Sequence, residues 1–597
     1  MFARFNQKGM RALSLKLDKL RSLMAERKID AYIVTNIDSH NNGNVSAYWK
    51  SRAYVSGFTG SAGTLVIMKD MAGLWTDGRY FIQAEKQLDG SGIELFRSGE
   101  PNVPSYTKFF KEKLEKGQTV GFYGQQFSIG AYNDLEKALK EKEIKYSYTD
   151  DLVDMIWDDR PEAPSNKVYL HAPPFTAKTS EEKISEVQAK MKEETFDYVL
   201  VSGLDAIAWL FNIRGTDVPN LPIVYAHAII SADKAHLFIG KDKISDITLP
   251  DSITIHPYED VAKFLETIND GKLYYNSNVT NYLLSQAVKT KDIVTEYEED
   301  IIQKLKGTKS KEDIANIKNA NIKEGVVLTQ IFKWLEEEVP KGKLKEADVA
   351  RKLTELRKNQ KDFVSDSFSA IIAYGENAAS AHYSPGSEGS DIKPDGLLLV
   401  DTGGNYLDGT TDTTRTIAVG ALTEEMKRDY TLVLKGNINM SDVVFMKGTT
   451  GPWLDILARQ AMWKHGINYR HGTGHGIGYF LNVHEGPHTL SMSKNSVELE
   501  PGMIISNEPG IYRPGKYGIR TETTIHVTEC MKTEDGEFYK FETISPCPID
   551  TTPIIIEMMT QDEIKWLNDY HSNVYEVLSP LLSEDEKKWL KKATAKI

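Results

Sequence analysis

The chain has 597 residues, 40% of them hydrophobic and 26% charged, with a formal net charge of −13. Such a length exceeds what one core supports and predicts about two to four domains. The acid excess excludes a general nucleic-acid or anionic-membrane binder, and two cysteines, Cys530 and Cys547, exclude a disulfide-stapled scaffold and allow a reducing compartment.

The amino terminus carries basic residues but lacks the apolar core of a secretion signal. It reads as an amphipathic helix, with Leu13, Leu15, Leu17, Leu20 and Leu23 available for packing. No apolar run is long enough for a membrane span. Residues 1–160 then read as one α/β module. Its strands fall at Asp30–Thr35, Thr64–Met68 and Gly73–Thr76, and a helix starts near Phe81. The Gly-rich stretch Ser56-Gly-Phe-Thr-Gly-Ser-Ala-Gly lacks phosphate-loop spacing and is read as a structural turn. Arg79, in Thr76-Asp-Gly-Arg-Tyr, suits either a substrate carboxylate or a local aspartate.

Residues 161–300 repeat the unit after a Pro-rich linker. Ser180 is placed as the cap of a charged helix, Glu181–Glu194. Phe196-Asp-Tyr-Val-Leu-Val echoes Ile29-Asp-Ala-Tyr-Ile-Val, and strands follow at His227–Ile239. Residues 301–597 form a larger third domain of helices and strand-rich segments. It opens with a helix after Ser310, with Asp313 in the capping-box place and Ile314, Ile317, Leu328, Ile331 and Leu335 at helical spacing. A second helix follows at about Glu346–Gln360, and the tail beyond Thr560 is helical, with Trp566, Leu567, Tyr570, Val574, Leu578 and Leu581 as packing residues.

The chemistry gathers in that third domain. Leu397–Gly420 reads as a buried strand, a tight turn and a return strand, carrying Asp401 and Asp412. A buried carboxylate is costly unless paired or metal-bound, and two of them on one face suit a hard divalent cation. Glu508 ends the apolar run Met503-Ile504-Ile505, and Glu522 sits in a β-rich run. His475 lies in His471-Gly-Thr-Gly-His-Gly-Ile-Gly, followed by Asn482-Val-His484-Glu-Gly-Pro. Four carboxylates and an imidazole make a shell for two divalent cations with bridging carboxylates. HExxH and GxSxG patterns are both absent. The competing reading is a set of satisfied core groups, with the glycines marking close backbone packing.

HGTGHGIG, NVHEGP, SNEPGIY and IRTETT resemble the signatures of the pita-bread metallopeptidases, in order and spacing. With SGFTGSAGT, TDGRYF, AHYSPG and DGTTDTTRT, the chain resembles over nearly its full length the three-domain, cytosolic-type Xaa-Pro aminopeptidases. The resemblance implies two creatinase-like α/β modules and a carboxy-terminal pita-bread domain, an α/β and α+β multidomain fold. It implies two Mn²⁺ ions. Asp401 holds one, His475 and Glu508 hold the other, and Asp412 and Glu522 bridge them. A bridging hydroxide is then expected to cleave the first bond of peptides with proline in second place. His382, His471 and His484 are the implied catalytic and substrate-binding histidines, Arg79 and Tyr512 further substrate contacts, and Arg520 a support for a ligand carboxylate. Tyr383, Tyr479 and Phe480 are candidates for the proline pocket. A cytoplasmic homodimer is expected, with neither nucleic-acid nor membrane partners. The alternatives are a proline dipeptidase of the same fold and a non-catalytic peptide- or histone-binding protein of that shape.

Overall fold

The computed structural model describes residues 2–295 and 300–597, with side chains from residue 13 onward. Its backbone divides into two compact units. One comprises residues 1–170, 178–219 and 223–298, the other residues 171–177, 220–222 and 299–597.

The first unit holds two six-stranded sheets with the same topology. In the first, Ala31–Val34 is central, antiparallel to Thr64–Met68 and parallel to Thr119–Phe122. In the second, Tyr198–Val201 takes the same place between Ala226–Ser231 and Leu273–Tyr275. Both faces of the first sheet are covered, which explains its unbroken apolar strands. Tyr32 and Val34 pack with the amino-terminal helix on one side, while Ala31 and Ile33 pack with Phe110 and Phe122 on the other.

That helix spans Phe2–Glu26, and the side chains of its first part lie outside the described residues. Leu17, Leu20 and Met24 are buried at helical spacing, whereas Leu15 is 56% exposed. Two residues on from Leu13, it has turned to the opposite face. The charged helix of the second module is Ser180–Glu193, and its cap is Thr179 rather than Ser180. Glu182, three residues past Thr179, completes a reciprocal capping box that fixes this register.

In the second unit, Ser310 caps the helix Lys311–Glu338 with Asp313 returning the bond, and all five of its expected apolar residues are buried. A three-stranded sheet sets Leu397–Thr402 between Ile371–Tyr374 and Thr413–Ala418. A six-stranded sheet contains Gly474–Gly476, Ile504–Asn507 and the long strand Thr523–Thr533. The two sheets are tied where Glu522 N donates to Thr414 O at 3.1 Å and Arg415 Nη1 donates to Glu522 O at 2.5 Å.

The connection after Asp401 is not a tight turn. Gly404–Tyr406 and Gly409–Thr410 pair as a small hairpin of their own, in another sheet with Phe363–Asp366. Tyr406, wholly buried, anchors this insertion by donating to Glu324 Oε2 at 2.9 Å. In the tail, Leu567, Tyr570, Val574 and Leu578 are buried on the helix Gln561–Leu578, but Leu581 is 58% exposed because the helix has ended. The Tyr570 hydroxyl accepts from Arg415 Nη2 at 2.9 Å, so the tail braces the strand that follows Asp412. Among the described residues, no helix is long and apolar enough to cross a membrane.

Candidate active site

Asp401 lies near the end of Leu397–Thr402 and faces Thr414 across the ladder. Asp412 immediately precedes Thr413–Ala418, Glu508 immediately follows Ile504–Asn507, and Glu522 immediately precedes Thr523–Thr533. Strand ends are thus where four acids of a β-rich core meet. Ligand atoms of Asp401, Asp412 and Glu522, all buried, lie within 4.8 Å of one another. His475 Nε2 joins them, 3.6 Å from Asp412 and 3.5 Å from Glu508.

The glycines around His475 have a packing reason. A Cβ on Gly474 would stand 1.7 Å from Ser506 O, and one on Gly476 would stand 2.2 Å from Glu485 O. Bare backbone lets the His475 strand pass between its neighbours, with a register shift at His475 that aims the ring. Nδ1–H donates to Gly476 O at 2.9 Å, leaving the Nε2 lone pair toward the acids. Burial lowers the pKa of this imidazole, keeping it neutral and able to act as a ligand.

The acids carry the opposite strain. Burial, then Glu522, Asp401 and Glu508, push Asp412 well above the usual carboxylate range. Burial, then Glu522, does the same to Glu508. Glu522 is pushed up to about 7 by burial and then Asp401, although Thr414 Oγ1 donates to it at 2.8 Å. Asp401 Oδ1 and Glu522 Oε1 are buried without a hydrogen-bond partner. Clustered anions with orphaned oxygens, plus a neutral imidazole, fit divalent cations rather than an ordinary ion-pair network.

One cation of the protein itself enters the cluster. Arg520 Nη2 donates to Asp401 Oδ2, and its Nε donates to Thr414 Oγ1 at 3.2 Å. Its Nη1 donates to the Tyr512 hydroxyl at 2.7 Å, which donates to His471 Nε2 at 2.8 Å. His471 Nδ1–H donates to Gly472 O at 2.7 Å, so both ring nitrogens are engaged and the tautomer is set. Burial, then Arg520, lowers His471 to about 3. His382 lies near enough to add to that depression from its half-buried place in the turn after Ser380. His484 is exposed, its ring centroid 4.2 Å from that of His475.

Three sequence candidates stand otherwise. Arg79 belongs to the first unit, where Nε and Nη2 each donate to Asp77 at 2.8 Å. Tyr479 and Phe480 are buried rather than set in an open proline pocket. The Tyr479 hydroxyl accepts from Asn316 Nδ2 at 2.8 Å. Sequence reasoning also missed Thr414 and Ser506, because a hydroxyl in a Thr- or Ser-containing strand gives no local sign of its partner. Ser506 Oγ accepts from His475 N at 3.0 Å and reaches Glu508 Oε1 at 3.3 Å.

Fold and site together define a metal-dependent hydrolase centre built at the ends of strands. The model of metallopeptidase family M24 matches residues 315–529, and that of the C-terminal region of peptidase M24 matches 537–597. Models of the creatinase/prolidase N-terminal domain match twice, at 16–156 and 159–313. The chain is 39% identical to a probable Xaa-Pro aminopeptidase P of Neosartorya fischeri, over 98% of the chain and 92% of the relative. Aminopeptidase P2 of Arabidopsis thaliana is 37% identical over 96% of the chain and 87% of its own length. The crystal structure of an X-prolyl aminopeptidase from Caenorhabditis elegans, described as a cytosolic enzyme with a dinuclear active site, superposes with a TM-score of 0.93. It is 31% identical and covers 98% of this chain and 100% of its own. The chain belongs to metallopeptidase family M24.

Proposed function

We propose that this protein is an Xaa-Pro aminopeptidase, removing the first residue from peptides whose second residue is proline. The observation that carries the reading is the convergence of Asp401, Asp412, His475, Glu508 and Glu522 around orphaned oxygens of Asp401 and Glu522. Full-length likeness to relatives named for that activity supports it.

In this reading Asp401, Asp412, His475, Glu508 and Glu522 would hold two divalent cations. Mn²⁺ would suit this oxygen-rich shell with one imidazole. When bound, they supply Lewis acidity that lowers the pKa of water and polarises a peptide carbonyl. The chain's own groups do the rest. Arg520 fixes one Asp401 oxygen and leaves Oδ1 for the site. His475 stays neutral through burial, and its bond to Gly476 O turns Nε2 toward the acids. His382, His471 and His484 hold the peptide, with Tyr512 orienting His471. Arg79 is kept as a peptide contact on the family resemblance alone. Proline is selected because its tertiary amide has no N–H, so no acceptor there need be satisfied.

We assign the protein to the cytoplasm as a homodimer and place its boundaries at 1–160, 161–300 and 301–597. Exposed Trp453, Ile456 and Trp463 on the helix Gly451–Trp463 support pairing through the carboxy-terminal domain.

The test is turnover of Arg-Pro-Pro, compared with an X-Pro dipeptide, by protein loaded with Mn²⁺ and with other divalent ions. Release of the first residue from the tripeptide, lost in Asp412→Ala, is the expected result. Preference for the dipeptide would give a dipeptidase instead, and no turnover with metal bound would end the reading.

A further inference from the structure

Between the paired strands Ile371–Tyr374 and Leu397–Thr402 runs a long connection whose only regular piece is the short helix Gly375–Ala379. It carries His382. Segments of this kind are costly to order and are commonly functional. One side chain gathers most of it. Glu346, the first residue of the helix Glu346–Arg357, is 0% exposed. Its Oε1 accepts from Tyr374 N at 2.8 Å and Asn377 Nδ2 at 3.0 Å. Its Oε2 accepts from the Tyr383 hydroxyl at 2.8 Å and Ser390 N at 2.7 Å.

Those donors are the start, the near side, the His382 neighbour and the far side of the connection. The backbone repeats the grip, with Glu346 N donating to Ser390 O at 3.0 Å. Gly389, at φ +67°, is pressed so close that a Cβ there would lie 2.7 Å from the Glu346 Cβ. Four donors satisfy both oxygens of this buried side chain at the N-terminus of its own helix. Burial and then the hydrogen bond to Glu346 raise the Tyr383 phenol above its ordinary pKa, which keeps it a donor. Tyr383 N donates to Ser380 O at 3.0 Å, closing the turn that carries His382, so His382 inherits its position from Tyr383.

We propose that Glu346 is a positioning residue for peptide hydrolysis: through Tyr383 and the loop ends it sets His382 beside His471 at the substrate's edge. The proposal rests on the reading of His382 as a peptide contact. It draws on the sensitivity of rate to placement, where an error of about 1 Å can cost on the order of 100-fold. A side chain that touches neither cation nor peptide then controls turnover.

The experiment uses the full-length, metal-loaded protein and Arg-Pro-Pro. Variants Glu346→Gln, Tyr383→Phe and His382→Ala are made singly, and the first two are also combined with His382→Ala. Kinetic constants, bound metal and thermal midpoint are read for each. Glu346→Gln, which keeps the shape but offers a donor to two donors, is expected to lower kcat/KM by about 10–100-fold with metal content unchanged. Tyr383→Phe is expected to lower it less. Neither is expected to lower it further once His382 is alanine, a coupling that general loosening of the fold does not produce. Equal losses in both backgrounds, loss of metal, or full activity in Glu346→Gln would overturn the proposal. A fully active His382→Ala would overturn it by removing the reading of His382 and leave the assignment of the metal-holding acids standing. Should Glu346→Gln fail to fold, Tyr383→Phe decides by the same coupling.

Discussion

Arg520 and Tyr512 are joined at 2.7 Å, and through that bond the Asp401 carboxylate is connected to the imidazole of His471. One guanidinium therefore holds Asp401, proposed as a metal ligand, directly and His471, proposed as a peptide contact, through Tyr512. Arg520→Met is expected to lower metal affinity or kcat/KM by about 10–100-fold, as losses of groups behind metal ligands do. Arg520→Lys should not rescue it, because an ammonium lacks the planar fork that spans both partners. Metal titration alongside steady-state kinetics on Arg-Pro-Pro checks this. An unimpaired Arg520→Met enzyme would sink the connection.

Burial and mutual repulsion hold Asp412, Glu508 and Glu522 above the usual carboxylate range, and in the proposed reading bound cations would relieve that strain. Chelation is expected to abolish activity and to lower the thermal midpoint of the second unit, both restored by a divalent cation. At free metal 100 times the Kd the stabilisation amounts to about 2.7 kcal/mol. Asp412→Ala should remove both the activity and the metal-dependent shift. Calorimetry with and without metal decides, and a midpoint indifferent to metal would count against the site.

Gly474 shows how the imidazole is delivered. Gly474→Ala places a methyl group 1.7 Å from the Ser506 carbonyl in the present backbone, so the strand must move. A cost of about 1–3 kcal/mol is expected from such overpacking. Metal affinity should fall more sharply than stability, since His475 is the next residue. Denaturant unfolding and a metal titration on the same sample separate the two effects. Tight metal binding in that variant would show that the strand tolerates the shift.

His571 predicts a pH dependence away from the metal centre. Its Nε2 accepts from Ile549 N at 3.1 Å, and burial, then Arg415, lowers its pKa to about 4. The unfolded chain takes up a proton near pH 6.5, where the native state does not. Stability from this residue is therefore complete above that pH and is lost as pH falls toward 4, by roughly 3 kcal/mol in all. His571→Gln keeps an acceptor for Ile549 and removes the titration. The wild type should lose thermal stability relative to this variant between pH 6.5 and 4, measured by differential scanning at each pH. Parallel curves would refute the assignment.

Much of the architecture was legible from local pattern. The Ser310 and Asp313 capping box, the buried apolar register of Lys311–Glu338 and the echo between the two modules are properties of short segments. Acids at the ends of apolar strands marked Asp401 and Glu508, and the Gly-flanked His475 completed the pattern with Asp412 and Glu522. The misreadings were also local. Leu15 was grouped with the packing leucines although its angle about the helix sets it outside, and Leu581 although its helix stops short of it. The hairpin after Asp401 was hidden because its anchor, Glu324, lies far away in the chain.

By itself, then, the order of residues determined the elements, the family signatures and the identity of the acids and the imidazole, because these depend on neighbours within a few positions. Only the tertiary structure decided which oxygens of those acids are orphaned, that Arg520 and Thr414 stand among them, and that Glu346 gathers the loop of His382. Those relationships join residues tens to more than a hundred positions apart, and hydrogen bonding and desolvation act on distance in space, which no local pattern encodes.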